Sequence, residues 1–129
     1  MSISFDSALG VHAYALDVRA DRARILAGNL ANVDTPGYLA RDIDYKAILG
    51  RVADLVERGA DSASISQGAL ADEMQHPLYR IPYQPSMDGN TAELSVEQSK
   101  FANNATDFQT SLTFLNMKIT GIAKAIEGR

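Results

Sequence analysis

Ala27-Gly28-Asn29-Leu30-Ala31-Asn32-Val33-Asp34-Thr35-Pro36-Gly37-Tyr38 divides this chain in two ways of folding. Its first half continues a helical apolar pattern. Its second half, Asp34-Thr35-Pro36-Gly37, has the turn chemistry that stops a helix near Val33. Upstream, residues 5–33 contain no proline, and Gly10 and Gly28 are the interior glycines, so the stretch reads as one long helix. Leu9, Ala13, Leu16, Ala20, Ala23, Ala27 and Leu30 alternate steps of four and three, which is heptad spacing.

The far end of the chain repeats that pattern. Residues 93–127 read as a second long helix, with Asn90 and Glu93, or Ser95 and Gln98, placed to form a capping box. Leu94, Gln98, Phe101, Ala105, Phe108, Leu112, Leu115, Ile119, Ile122 and Ile126 follow the same heptad. A small seam facing a large one interdigitates, so the two helices are expected to pair. The fold class expected is all-α: two long terminal helices in an antiparallel, coiled-coil-like hairpin around a largely irregular middle. The chain divides into an N-terminal helix (1–33), a middle segment (34–92) and a C-terminal helix (93–129). In the middle, residues 43–58 suit a short helix capped by Asp42 or Asp44. Residues 60–73 have weak periodicity and read as mobile. Tyr79, Ile81 and Tyr83 alternate in a segment that Pro77, Pro82 and Pro85 keep out of any central strand.

The composition bounds the rest. The chain has 129 residues, 46% hydrophobic and 22% charged, ordinary values for one small domain. A net charge of −4 argues against a nucleic-acid binder. No cysteine is present, which excludes thiolate chemistry and disulfides. No apolar run approaches the roughly 18 residues of a membrane span, and Met1 to Ser7 lacks the build of a cleavable signal peptide. No catalytic set stands out: nothing in the sequence pairs His12 with His76, and Asp42 with Asp44 reads as a capping pair rather than half a metal site. The reading is therefore not an enzyme, with no cofactor and no metal.

Faces away from the seam are less ordinary. Val11, Val18 and Ile25 also repeat every seven residues, roughly opposite Leu9–Leu30. The second helix carries Thr106, Thr110, Thr113, Phe114 and Met117 on a charge-poor face. Helices of about 44 and 52 Å, at 1.5 Å per residue, expose too much apolar surface as a lone pair. Either the middle segment folds back over these second faces or neighbouring subunits cover them. The residues alone leave the two near even; the subunit-contact reading places an interface at Val11, Val18, Ile25, Thr106, Thr110, Phe114 and Met117, and only the resemblance below tips the balance toward it. On that reading Leu16→Asp or Leu112→Asp breaks the pair, whereas Val18→Asp spares it and blocks assembly.

The dividing stretch also resembles a known signature. Asn29-Leu30-Ala31-Asn32, then Thr35-Pro36-Gly37-Tyr38, at the end of a heptad helix is similar to the N-terminal element of the bacterial flagellar axial family of rod, hook and hook-junction proteins. Leu9-Gly-Val-His-Ala, Leu16-Asp-Val-Arg-Ala, Arg41-Asp42-Ile43-Asp44-Tyr45 and Gly89-Asn-Thr-Ala-Glu-Leu94 with Glu97 and Asn103-Asn104 narrow the likeness to its proximal rod members. It covers about residues 8–45 and 88–126. Phe108-Gln109 departs mildly from the Tyr-Gln frequent in the family. The sister rod protein FlgC shares the architecture, but the run from Thr35 to Tyr45 looks less like it.

The resemblance implies a structural subunit of the basal body, polymerising helically with itself and other rod subunits. It implies torque transmission, a wall around the export channel, and contact with FliE and the export-gate complex. It further implies a periplasmic rod location, reached by type III export without a cleaved signal peptide, and neither nucleic-acid binding nor membrane insertion. The alternatives are FlgC itself or a cytosolic helical adaptor or export chaperone, which would share the hairpin without needing the turn signature.

Overall fold

The computed structural model describes residues 5–71 and 76–128. The chain is mostly helical. In order it forms α1 (Phe5–Leu9), α2 (Val11–Ala31), β1 (Arg41–Asp42), α3 (Tyr45–Glu57), α4 (Ser62–Ser64), a π-helical turn (Ile65–Leu70), β2 (Leu78–Tyr79) and α5 (Leu94–Glu127). The expected first helix is broken at Gly10, whose φ of 60° interrupts the helical backbone at low cost only for glycine.

α2 and α5 lie side by side and run in opposite directions. Asn29 meets Glu97, Arg19 meets Asp107, and His12 stacks on Phe114. Descending α2 by ten and then seven residues ascends α5 by the same steps.

Against this pair lies α3. The Asp44 carboxylate accepts from Ala47 N at its start. Ile48 and Val52 turn inward with Ile43, and meet Tyr14 and Val18 of α2. Ile65 and Leu70 of the π-helical turn complete this core, with Val11 and Ile25 at its margin. The stretch expected to be mobile thus supplies two buried side chains, residues 72–73 lying outside the described part. Burial explains it: Ile65 and Leu70 join the cluster formed by Ile48 and Val52 of α3 with Val18 of α2.

A second departure is the short sheet. β1 and β2 pair antiparallel, Arg41 opposite Tyr79 and Asp42 opposite Leu78. Arg80 N continues the pairing by donating to Ala40 O at 2.9 Å. The fold is therefore mostly helical, with a small β-ribbon in the middle segment. No helix among the described residues is long and apolar enough to cross a membrane.

Candidate assembly face and the polar seam beneath it

The turn after α2 is built by its own side chains. Asn32 Nδ2 donates to Gly28 O at 2.8 Å, and Thr35 N donates to Asn32 O at 3.1 Å. Gly37 takes φ of 72°, and its N–H donates to Asp88 O at 2.9 Å. Asn90 directs its amide at the carbonyls of Asn32, Val33 and Thr35, at 2.8 to 3.0 Å. Thr91 N donates to Tyr38 O, and Thr91 Oγ1 accepts from Ala40 N. Asn90 thus holds the turn rather than capping α5, whose first residue follows Glu93 without a side-chain cap. Glu93 instead accepts from Tyr83 N and Gln84 N. The two segments that carry the family likeness, Asn29–Tyr38 and Gly89–Leu94, are in direct contact.

Beside that clasp lies a buried ionic cluster. Asn29 uses its whole side chain: Nδ2 donates to Arg41 O at 2.7 Å and to Glu97 Oε2 at 3.0 Å, while Oδ1 accepts from Arg41 N and Tyr38 Oη. Glu97 is fully buried and also accepts from Arg80. Arg80 spans to Asp42, which takes a two-pronged pair from Arg22 at 2.9 and 3.0 Å. Lys100 stands 3.6 Å from the same carboxylate, and the Arg22 guanidinium lies over the Tyr45 ring. Burial alone would raise the Asp42 carboxyl; the Arg22 hydrogen bonds and charge, the Ile43 amide and Lys100 outweigh it and hold the group below its ordinary value. Burial likewise works against the Arg22 charge, and the Asp42 bond and charge more than restore it.

The contact between α2 and α5 is not the expected seam. On α2 the heptad facing α5 is His12, Ala15, Arg19, Arg22, Leu26 and Asn29. On α5 it is Glu97, Asn104, Asp107, Ser111 and Phe114. Asn104 Nδ2 donates to Arg19 O at 2.9 Å. Each row sits one residue before the apolar heptad read from sequence. Polar groups hold the interface through three contacts, Arg19 with Asp107, Asn29 with Glu97 and Asn104 with the Arg19 carbonyl, while Arg19 Nε and Asn104 Oδ1 stay buried without a partner.

The expected seam is displaced with a consequence. One residue onward is about 100° of rotation, and on antiparallel helices it turns both rows to the same side. Leu16, Ala20, Ala23 and Leu30 are half-buried and Ala27 is exposed; Phe108, Leu115 and Ile122 are half-buried. Phe101, Leu112, Ile119 and Ile126 are exposed, at 38%, 37%, 49% and 78%. Where α1 joins, Phe5, Leu9, Ile119, Ile122, Ala123 and Ile126 line an apolar groove of ≈ 330 Å³.

The expected interface at Val11, Val18 and Ile25 is corrected. Val18 is 0% exposed and packs on α3 within the same chain, with Val11 and Ile25 beside it. Here the middle segment folds back, because Ile43, Ile48 and Val52 supply a matching apolar face. Phe114 stacks on His12 and is still 47% exposed. Thr106, Thr110 and Met117 remain exposed. The hydroxyls of Thr106, Thr110 and Thr113 donate to the carbonyls four residues back, which leaves their methyls outward. Among the signature residues, Ala31, Thr35, Pro36, Gly37, Arg41 and Asp44 are exposed, whereas Asn29 is buried. Sequence reasoning missed Arg22 and Arg80 altogether. The seven-residue spacing of Glu97, Asn104 and Ser111, and of Arg22 and Asn29, was the signal that could have found the polar seam.

No family model matches the chain. It is 44% identical over 132 aligned positions to the flagellar basal body rod protein FlgB of Aeromonas hydrophila, covering 99% of this chain and 98% of that protein. To the proteins of the same name from Cereibacter sphaeroides and Escherichia coli (strain K12) it is 45% and 40% identical, covering 96% and 95% of this chain and 97% and 94% of theirs. Likeness at this level along the whole chain, with the Asn29–Tyr38 turn clasped by Gly89–Leu94, places the chain in the family of flagellar basal body rod proteins FlgB, structural rod subunits, rather than with FlgC.

Proposed function

We propose that this rod subunit polymerises helically through the open apolar side of the α2–α5 pair, in a coiled-coil-like hairpin retained in the assembled rod. The observation that carries this reading is the two apolar heptads lying on one side, with Leu9, Ile119, Ile122 and Ile126 sharing a groove. Exposed apolar surface of this extent marks an interaction site. Heterologous contacts that do not close build open helical polymers. The neighbours are further copies of this chain and other rod subunits, with FliE and the export gate at the proximal end. The location is the periplasmic rod, reached by type III export without a cleaved signal. Torque then passes through many apolar contacts rather than through one special residue, and the Thr-rich outer face of α5 suits either helix packing or an uncharged channel wall.

Ile119→Asp and Leu112→Asp test the reading. Both should abolish motility and remove the chain from purified basal bodies. Normal swimming, with the variant protein recovered in basal bodies, would sink it. A stable soluble dimer of the unaltered chain, absent from basal bodies, would favour the adaptor alternative.

A further inference from the structure

The apolar rows of α2 and α5 do not fix their own alignment. Leu9, Leu16, Ala23 and Leu30 recur every seven residues, as do Phe101, Phe108, Leu115 and Ile122. Sliding one helix by a heptad would leave such rows equally matched. We propose that the Asn29–Glu97–Arg80 junction, together with Arg19–Asp107, is the register-determining site of this subunit, selecting one alignment of α2 on α5 from those a heptad apart.

The geometry supplies the discrimination. Glu97 is fully buried and is held from two directions, by Asn29 on α2 and by Arg80 behind β2. Arg80 is itself pinned through Asp42 to Arg22, and through its own N–H to Ala40 O. The strap that delivers Arg80 can therefore meet Glu97 only where α5 stands now. A slip in one direction brings Lys100 opposite Arg19, two like charges. A slip in the other brings Asp107 opposite the buried Leu26 and Phe114 opposite Arg19. Either slip parts Glu97 from Asn29: the first sets it opposite Arg22, whose guanidinium Asp42 already occupies, and the second carries it beyond the end of α2. A buried carboxylate parted from its own hydrogen-bond donors is strongly disfavoured, which is why buried polar pairs can fix register. This assignment concerns the single chain and stands apart from what covers its open side.

The absence of native cysteine makes register directly readable. Ala15 and Ser111 are both buried in the seam, between the His12–Phe114 and Arg19–Asp107 contacts. The pair Ala15→Cys with Ser111→Cys reports the observed alignment. Ala8→Cys with Ser111→Cys, and Ala15→Cys with Lys118→Cys, report the two heptad slips. The full chain is purified, brought to a concentration where circular dichroism shows helix, and oxidised; intrachain disulfides are then mapped by mass. With Asn29, Glu97 and Arg80 intact, only the first pair should close. With Glu97→Leu and Arg80→Met, the exclusivity should be lost and slip pairs should form. Glu97→Gln keeps size and the Asn29 hydrogen bond, so it should restore much of the preference. Should Glu97→Leu with Arg80→Met lose its helix, Arg80→Met alone decides, slip disulfides being expected above the background of the unaltered seam. Closure of the first pair alone in every folded variant would overturn the assignment, whether or not the chain enters the rod.

Discussion

The two sides of the α2–α5 pair carry similar sequence and meet different fates. On one, Val18 and Tyr14 are sealed by Ile43, Ile48, Val52 and Ile65 of the middle segment. On the other, Leu9 faces Ile119, Ile122 and Ile126 across an open groove. Both sides are apolar at heptad spacing, so periodicity alone does not distinguish a core from a contact surface. What separates them is whether the chain supplies a matching face. α3 supplies one, and nothing among the described residues covers the other.

Substitutions can break or sharpen that contrast. Val18→Asp should have the largest effect, about 4 kcal/mol or more lost in urea unfolding, because a charge would sit unpaired in the core. A folded Val18→Asp chain that fails only in assembly would restore the subunit-contact reading of that side. Ile48→Ala, from the α3 half of the same core, should cost about 2–5 kcal/mol by leaving a cavity. Asp42→Asn should cost about 1–3 kcal/mol, since Arg22 and Arg80 lose a charged acceptor. Ile119→Asp should change chain stability by less than about 0.5 kcal/mol while removing the protein from basal bodies. An unfolded Ile119→Asp chain would mean the open side is part of the protomer's own core.

The Asp42 pairing also gives a pH test. Its carboxyl is held below the ordinary value of 3.8, so its contribution is fully present above that value. It is lost as the pH falls through the lower folded-state value, by protonation of the acceptor of Arg22. Unfolding free energy measured in urea should therefore drop below about pH 4, and Asp42→Asn should flatten part of that drop. An unchanged profile in Asp42→Asn would mean other carboxylates carry it.

The sequence made the helices readable, for concrete reasons. The turn chemistry of Thr35-Pro36-Gly37 ends α2, the Asp44 carboxylate starts α3, and the proline-free run from Leu94 onward sustains α5. The rotation of the pair was not readable from hydrophobicity, because the stronger apolar heptads stayed outside while a weaker polar one took the seam. That choice depends on Arg80 reaching Glu97 and Asp42 from a distant strand, a tertiary contact with no local signal. The role of Asn90 was hidden likewise: a residue placed to cap α5 found three carbonyls of the signature turn instead. Residues 60–73 read as mobile because their apolar side chains show little periodicity, yet Ile65 and Leu70 among them close the core.

One side of the helix pair is finished within the chain, and on the proposed function the other is finished by neighbours. Photo-cross-linking in isolated basal bodies tests it most directly, with the reactive group placed at Ile119 in one sample and at Val18 in another. Cross-links are expected from Ile119 to a second rod subunit, and from Val18 only within its own chain. Cross-links from Val18 to a neighbouring subunit, with none from Ile119, would contradict it.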